Sequence, residues 1–407
     1  MKAYDLLIIG GGAAGFFAAV NAARLSPGKR VAILEKSNKV LSKVRISGGG
    51  RCNVTHACFD ARELVKFYPR GGKELRGAFA RFSVNDTLSW FNERGVQLKA
   101  EEDGRMFPVS DDSSTIVNCL LHEAEKQHVE ILLQQDVTTI EKQGDRFQLT
   151  TEAGERFTCE KLLIAAGGHP KSSAYDFIRA TGHRILPPVP SLFTFNMPKN
   201  PVTQLMGVSV PHAVVKIDKT SIVTEGPLLI THWGMSGPAV LKASAWGARE
   251  LAEMNYHFDA LVNWLGGKNE DAVREMLVNL RSAHASKQLF NTGFAQLPKR
   301  LWYFLLEKAG VTETLRWADL SKKQLNDLIG LLTRDRYAVA GKTTFKEEFV
   351  TCGGVSLDEI DLKTMESKKL PGLFFAGEVL DIDGVTGGFN FQAAWTGGWL
   401  AANGMIA

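Results

Sequence analysis

The chain has 407 residues, 44% of them hydrophobic, and a formal net charge of +4. This length supports a large core and two or three domains. No apolar run approaches about 18 residues, and the chain starts directly in a core strand, so we expect neither a membrane span nor a signal peptide. The five cysteines form no C-x-x-C pair, which indicates reduced thiols and predicts a cytoplasmic protein.

The first 35 residues have the pattern of a strand, a glycine turn, a helix and a second strand. In chain order these are Tyr4–Ile9, Gly10–Gly15, Ala13–Leu25, and Val31–Leu34 followed by Glu35. The turn has the spacing G-x-G-x-x-G, and an acid follows the last glycine after twenty residues. In this β-α-β setting the pattern predicts a dinucleotide-binding site.

Each part of this unit has an expected physical role. Gly10 permits the tight turn, Gly12 lets a pyrophosphate approach the backbone, and Gly15 lets the helix pack closely on the sheet. The helix N-terminus offers free N–H groups to the phosphates, and Glu35 can accept from ribose hydroxyls. The simpler alternative is a glycine turn that merely packs, with Glu35 a solvated strand end.

The remainder of the first 190 residues predicts a parallel α/β domain. Helical patterns occur at 73–82 and 85–94, and a third, capped by Ser113 or Ser114, runs to about Gln127. The predicted strands are 129–133, 137–141, a hairpin of 146–151 with 155–159, and a buried strand 162–166 that ends at Gly167 and Gly168.

The composition changes at Pro187–Pro190, and a different pattern follows. We expect strands at 192–197, 204–210, 213–217 and 228–230, a helix capped by Ser236, helices over 269–334, and a strand at 337–345. A buried strand at 372–378 and a helix at 389–402 then resume the nucleotide fold. The prediction is a discontinuous domain, 1–190 plus 347–407, and an insert 191–346 that is mainly β over 191–260, helical over 261–336 and a return strand over 337–346.

Charge is unevenly distributed along the chain. Between Lys268 and Lys346 there are 14 Lys and Arg residues against 8 Asp and Glu, a net charge of +6. A solvated helical surface is the simpler interpretation. The alternative is a basic face for an anionic substrate or a nucleic acid.

Four further motifs make the chain resemble a known family. They are Ile46–Thr55 (ISGGGRCNVT), Gly104–Ser110 (GRMFPVS), Thr231–Pro238 (THWGMSGP) and Asp383–Ala394 (DGVTGGFNFQAA). With the opening unit they resemble the bacterial NAD(P)/FAD-dependent oxidoreductases of the BaiN/YhiN group, the HI0933-like flavoprotein family. The resemblance implies a glutathione-reductase-like FAD-binding Rossmann domain interrupted by a β-barrel and a helical insert.

The same resemblance implies a set of residues that bind FAD non-covalently. They are Gly10, Gly12, Ala13, Ala14, Gly15, Glu35, Lys36, Gly49, Gly50, Arg51, Cys52, Asn53, Val137, Ala166, Gly167, Gly168, Gly377, Glu378, Gly388, Phe389 and Asn390. Arg51 would neutralise phosphate or flavin charge, and the helix that starts near Gly388 would favour negative charge on reduced flavin. Glu378 departs from the usual Gly-Asp ending, and 169–176 departs from the Gly/Thr/Ser-rich loop of relatives.

The catalytic residues are not identifiable from the sequence. Cys52 is a candidate redox thiol, Arg51 a candidate holder of an anionic substrate, and His232 a candidate proton donor. Structural roles are the alternative for each of them. We expect no metal site, since Cys52, His56 and Cys58 do not have the spacing of a usual zinc site.

Three functions are compatible with these patterns. The favoured one is an FAD-dependent oxidoreductase that reduces or oxidises an activated C=C or C–H bond of a small organic substrate. Without a second G-x-G-x-x-G, NAD(P)H is left as a transient reductant rather than a tightly held cofactor. The alternatives are a flavin-based redox sensor or binding protein, and a flavoprotein acting on RNA through the basic insert, which is disfavoured but left open. The substrate and the oligomeric state are not determined by the sequence.

Overall fold

The structure is a computed structural model that describes residues 1–294, 296–344 and 350–407. It divides into two compact units, Met1–Ser191 with Lys346–Ala407, and Leu192–Phe345. The end of the predicted return strand 337–346 and the start of the resumed domain at 347 lie outside the described residues.

The first part of the chain contributes twelve strands and seven helices. The strands are β1 Lys2–Ala3, β2 Leu6–Ile9, β3 Val31–Leu34, β4 Thr55–His56, β5 Leu98–Ala100, β6 Arg105–Pro108, β7 Glu130–Leu132, β8 Val137–Gln143, β9 Arg146–Thr151, β10 Arg156–Cys159, β11 Lys161–Ile164 and β12 Ile185–Ser191. The helices are α1 Ala13–Leu25, α2 Ser42–Gly50, α3 Ala61–Leu64, α4 Gly72–Phe79, α5 Val84–Asn92, α6 Ser114–Lys126 and α7 Asp176–Arg179.

The second unit follows, and the chain then returns to the first. The second unit contains β13 Thr194–Asn196, β14 Ser209–Ile217, β15 Val223–Thr231, β16 Gly234–Ser236, α8 Pro238–Trp246, α9 Ala248–Glu253, β17 His257–Asn263, α10 Glu270–Ala283, α11 Leu289–Thr292, α12 Lys299–Lys308, α13 Lys322–Arg334, β18 Asp335–Ala340 and β19 Lys342–Thr343. The returning segment contains β20 Val350–Val355, β21 Ile360–Asp361, β22 Glu366–Ser367, β23 Leu373–Phe375 and α14 Phe389–Ile406.

The central sheet of the first unit has the strand order β21-β22-β23-β11-β2-β3-β7. The five strands from β23 to β7 are parallel, and all four residues of β2, LLII, are buried. Such unbroken apolar strands are typical of parallel sheets that are covered on both faces. The order around β2 is that of a Rossmann fold, whose ligands bind at the carboxyl ends of the strands.

Smaller sheets flank this layer. The predicted hairpin is confirmed, since β9 and β10 pair antiparallel with Phe157 opposite Leu149. Together with β1 and β8 they form a four-stranded sheet, β4, β6 and β5 form a second one, and β12 pairs with β20.

The second unit has one antiparallel sheet of order β18-β17-β14-β15-β16-β13-β19. Helices α10 to α13 pack with it around a core that contains Trp264, Trp302 and Trp317, each almost fully buried. The two end strands of this sheet, β18 and β19, are separated in the chain by Gly341 alone.

Three sequence expectations about local structure were wrong. Ser113 does not cap α6 with its side chain, because its hydroxyl donates to the Arg45 carbonyl at 2.6 Å, and Asp112 accepts from the backbone of Ser114 instead. Ser236 belongs to β16, and α8 starts after Gly237 without a side-chain cap. Gln204 lies in a short 3₁₀ turn, Pro201–Leu205, rather than in a strand.

None of the described helices combines enough length and enough apolar character to span a membrane.

Helices α1 and α14 of the first unit pack closely against each other. A Cβ placed on Gly398 of α14 would lie 2.7 Å from the carbonyl oxygen of Ala14 in α1. Real Cβ atoms do not approach backbone oxygens so closely, so glycine is required at this crossing.

We therefore expect Gly398→Ala to lower the unfolding free energy by about 1–3 kcal/mol through overpacking. Gly77→Ala is the matched control, because Gly77 lies on the exposed side of α4 with nothing within 4 Å of its added Cβ, and it should be neutral or stabilising. Thermal unfolding followed by circular dichroism measures both variants. Equal melting temperatures for the two would contradict the close packing.

Candidate functional site

The turn between β2 and α1 is held by its neighbours. Gly10 has φ +110°, and a Cβ there would lie 2.3 Å from the carbonyl oxygen of Ala165, at the end of β11. A Cβ on Gly15 would lie 2.0 Å from the carbonyl oxygen of Gly10. Two of the three glycines in the G-x-G-x-x-G turn are therefore required by the fold itself.

Gly12 is different from these two. Its φ is −93°, which any residue adopts, and nothing lies within 4 Å of a Cβ built on it. The helix α1 starts immediately afterwards at Ala13, and no described side chain caps it. The first N–H groups of α1 have no partner within the helix, so a phosphate on the open side of Gly12 could be bound by them and by the helix dipole.

Glu35 ties the end of β3 to this turn. Its two carboxylate oxygens accept from the backbone N–H of Gly11 at 2.8 Å and of Ser37 at 2.9 Å. The Glu35 carbonyl accepts from the N–H of Gln135 at 2.9 Å, which brings the start of β8, with the buried Val137, to the same edge. Each carboxylate oxygen keeps a second lone pair that can accept from a ribose hydroxyl.

Lys36 follows directly and meets the loop after β11. Its Nζ lies 3.4 Å from Nε2 of His169. Burial and the nearby Lys36 and Lys43 ammonium groups lower the pKa of His169, whereas Glu378 opposes that shift. This shift favours the neutral form of His169, so Lys36 and Lys43 carry the positive charge beside this loop.

The backbone turns sharply over Ser47–Asn53, with several residues in the left-handed region of φ. Helical geometry in α2 ends at Ser47, and the three glycines that follow have φ of +58°, +69° and +85°. Gly48 lies against the Phe107 ring, while Gly49 and Gly50 have nothing within 4 Å of an added Cβ. These two glycines leave their backbone open to a ligand.

Arg51 is engaged by acidic side chains of the first unit. Its Nη1 donates to Glu101 Oε1 at 2.6 Å, Asp111 Oδ1 lies at 3.5 Å, and its guanidinium stacks over Phe107 at 3.9 Å from the ring centre. Two carboxylates already balance this charge. These carboxylates compete for the Arg51 guanidinium, and a role toward phosphate, flavin or substrate charge stays a prediction.

The surroundings of Cys52 argue against the redox role that the sequence suggested. The side chain is fully buried, and burial raises its pKa to about 12. Since the thiolate is the reactive form, a buried neutral thiol is poorly suited to exchange electrons with a substrate. The residue has φ +62° and helps to shape the turn.

The carboxyl ends of β11 and β23 form the other wall. Gly167 has φ +74° and open space, whereas Ala166 and Gly168 pass close to neighbouring chain. Gly377 lies next to Ala14, and the side chain of Glu378 accepts from the Thr351 N–H at 2.8 Å and pairs with Lys43 Nζ at 2.7 Å. Glu378 therefore links this wall to the backbone of Thr351 and to Lys43.

The start of α14 provides a second helix N-terminus. Gly388 has φ +95°, and an added Cβ would lie 2.5 Å from the Thr55 carbonyl oxygen. With its amide oriented to satisfy both neighbours, Asn53 accepts from the Gly388 N–H and donates to the Thr55 carbonyl, each at 3.0 Å. Asn390 bonds both the N–H and the carbonyl of Gly384, which fixes the loop before the helix.

Several residues that hold this loop were missed in the sequence. His56 Nδ1 lies 3.0 Å from the Gly387 carbonyl and its ring stacks on Phe389, and the Tyr68 hydroxyl donates to the Phe389 carbonyl at 2.6 Å. Arg70 and Asp383 form a buried ion pair. These partners lie more than 300 positions apart, so no local pattern could have linked them.

His232 belongs to the second unit. It lies exposed in the turn between β15 and β16, with its ring edge-on to Trp233 at 4.4 Å. Nothing in its surroundings within that unit distinguishes it as a proton donor, so this role remains a prediction.

The five parallel strands, the open Gly12 at an uncapped helix and the glycines around it define a dinucleotide-binding protein of the Rossmann class. Comparison of the sequence with family models then identifies it further: residues 4–404 match the HI0933-like protein Rossmann domain, and the chain belongs to that family.

Curated relatives match along the whole chain. The ribosomal RNA dihydrouridine synthase of Escherichia coli is 34% identical over 100% of this chain and 99% of its own length. The ribosomal RNA dihydrouridine synthase of Haemophilus influenzae is 32% identical, and the 3-dehydro-bile acid delta(4,6)-reductase of Clostridium scindens is 30% identical, each over 97% of both chains.

Solved structures share the fold at low identity. The 3-ketosteroid-delta4-(5alpha)-dehydrogenase of Rhodococcus jostii has a TM-score of 0.51 at 14% identity and covers 98% of this chain and 97% of its own. The 3-ketosteroid delta1-dehydrogenase of Sterolibacterium denitrificans has a TM-score of 0.51 at 12% identity, with 100% and 99% covered. The chain therefore has the Rossmann domain of this family and shares the fold of the two steroid dehydrogenases.

The burial of Cys52 allows a test of whether its thiol takes part in flavin reduction. Cys52→Ala should keep FAD content and the rate of flavin reduction within about twofold of the wild-type values, because a thiol with a pKa of about 12 is essentially all protonated at pH 8. Native-state alkylation followed by mass spectrometry should modify the partly exposed Cys58 before Cys52. Loss of flavin reduction in Cys52→Ala would instead support a redox role for the Cys52 thiol.

Proposed function

We propose that the chain uses FAD to reduce a carbon–carbon double bond conjugated with a carbonyl group in a small organic substrate, with NAD(P)H as a transient electron donor. FAD supplies the hydride-transfer chemistry when bound. The observation that carries the proposal is the open backbone of Gly12 beside the uncapped start of α1, at the edge where β2, β3 and β11 end.

The binding residues would each contribute a different contact. The amides at Gly12–Ala14 would hold the diphosphate, Glu35 the ribose, and Val137 the adenine through its backbone. The open Gly49, Gly50 and Gly167 admit the dinucleotide at close range, and the N-terminus of α14 at Gly388 favours negative charge at the flavin. Lys36 adds positive charge near the diphosphate, and Lys43 lies close enough to act on the same group, His169.

The substrate class is supported by the relatives' names. A dihydrouridine synthase and a 3-dehydro-bile acid delta(4,6)-reductase act on different molecules, but in each the double bond that is saturated is conjugated with a carbonyl. Such a bond accepts hydride at its far carbon, because the carbonyl oxygen takes up the developing charge. A protein with this chemistry must also provide a proton, and no described residue of the first unit is assigned that role.

We also propose that the second unit is a closed β-barrel with a helical addition. The support is the strand order, in which β18 pairs with β17 at one end of the sheet and β19 pairs with β13 at the other. Because only Gly341 separates β18 from β19, one nearly continuous strand has neighbours on both sides, which is the property of a closed sheet.

A second candidate function is the reduction of uridine in RNA. It is favoured by the two ribosomal RNA dihydrouridine synthases that match over the full length, at 34% and 32% identity. The net charge of +6 between Lys268 and Lys346 agrees with an anionic macromolecular substrate.

Gly12→Ala tests the cofactor site. We expect FAD affinity to fall at least tenfold, about 1.4 kcal/mol, because the added methyl group would occupy the space of the diphosphate. The melting temperature of the FAD-free protein should not change, since this φ suits alanine and nothing lies within 4 Å. Titration of FAD fluorescence measures the affinity, with Gly77→Ala as control. Unchanged binding would place the diphosphate elsewhere.

Anaerobic stopped-flow spectroscopy tests the reaction. NADH and NADPH are mixed separately with the FAD-loaded protein, and one of them should bleach the flavin rapidly. The reduced protein is then mixed with a 3-oxo-Δ4 steroid, a ribosomal RNA fragment, or the saturated steroid as control. Reoxidation by a conjugated substrate but not by its saturated analogue is expected. Failure of both nicotinamides to bleach the flavin would exclude them as donors, and failure of every conjugated compound would contradict the proposed reaction.

A further inference from the structure

The second unit contains two long segments without acidic residues. Residues 192–217 and 276–306 include no Asp or Glu, although the whole chain has 44. The basic residues in these segments are Lys199, Lys216, Arg281, Lys287, Lys299 and Arg300. In a chain with nearly equal numbers of both charges, such segments concentrate positive potential.

The fold brings the two segments together at Arg300. Its guanidinium donates to the carbonyl of Gln204 at 2.8 Å and to that of Met206 at 3.3 Å, so the start of α12 lies against the turn after Lys199. Lys199, Lys299 and Arg300 are all exposed, and Met206 is 55% exposed beside them. None of the three cations forms an ion pair with a residue in the described ranges.

Aromatic side chains lie next to these charges. Lys299 Nζ is 5.3 Å from the centre of the Tyr303 ring, and that ring is 5.0 Å from the ring of Phe290. Tyr303 is half-buried and packs against the edge of the core. Cations for phosphates beside an aromatic face for a base are the combination by which single-stranded nucleic acid is bound.

Helix stability does not explain this arrangement. Lys299 and Arg300 occupy the first turn of α12, which contains no acidic residue. The helix dipole disfavours cations there by about 0.3–1 kcal/mol each.

We propose that the basic patch formed by Lys199, Met206, Lys299, Arg300 and Tyr303 binds a single strand of RNA, with the cations on phosphates and Tyr303 against a base. The proposal rests on the second candidate function, because it supplies the surface by which an RNA substrate would be held. It assigns the patch to positioning of the strand and gives it no part in the redox reaction.

The experiment is fluorescence anisotropy of a labelled, uridine-containing 20-nucleotide RNA with the full-length, FAD-loaded protein over a salt series. Lys199→Ala with Lys299→Ala should weaken binding at least tenfold at low salt and reduce the slope of log affinity against log salt by about 1.4, the contribution of two single-strand phosphate contacts. Tyr303→Leu should weaken binding at least fivefold and leave the slope unchanged.

Lys322→Ala with Lys323→Ala is the matched control, since it removes the same charge from the exposed first turn of α13. The control should bind RNA like the wild type, and all variants should be bleached by the nicotinamide and reoxidised by a conjugated steroid at wild-type rates. The proposal is overturned if the control and the patch variants lose RNA binding equally, or if the patch variant binds like the wild type. Either result would leave the reductase activity standing. Failure of the conjugated steroid to reoxidise the wild type, with RNA binding intact, would instead count against the small-molecule reductase.

Discussion

The structure of the site depends on backbone-to-backbone contact around the start of α1. Gly10 touches the end of β11, Gly15 touches Gly10, and α14 touches Ala14 through Gly398. Because no side chain separates these segments, the first turn of α1 is fixed from three sides and its amides keep one direction. Gly12 is the one glycine of the G-x-G-x-x-G turn without such a neighbour. It lies on the side that remains open. Rigid placement of donors before a ligand arrives is what makes a helix terminus an effective anion site.

A second constraint positions the loop before α14. Asn53, His56 and Tyr68 each bond the backbone of 387–389, and the buried pair of Arg70 and Asp383 lies behind them, with the Ser191 hydroxyl on Asp383. A buried ion pair adds little net stability, but its loss is costly, so it specifies one arrangement of the loop. The two helix N-termini are thereby held by different means, one by close packing and the other by polar contacts.

The sequence was informative where the signal is local. The strand, glycine turn and helix of residues 4–25, the hairpin of β9 and β10, and the closing helix near 389 follow from periodicity and turn residues within short windows. It gave no sign of the contacts that form between distant segments. The side chain of Ser113 is engaged by Arg45, and Arg51 is neutralised by Glu101, fifty positions away. Composition cannot reveal such pairings, since they exist only after the segments meet.

The central claim is that the FAD diphosphate lies on the N-terminus of α1, with the flavin toward α14. Hydrogen–deuterium exchange of the protein with and without FAD tests it most directly. Peptides that cover 10–16, 47–53, 165–168 and 387–390 should become protected when FAD is added, while the surface helices α10 and α13 should not change. FAD binding without protection at 10–16, or no FAD binding at all, would contradict the account.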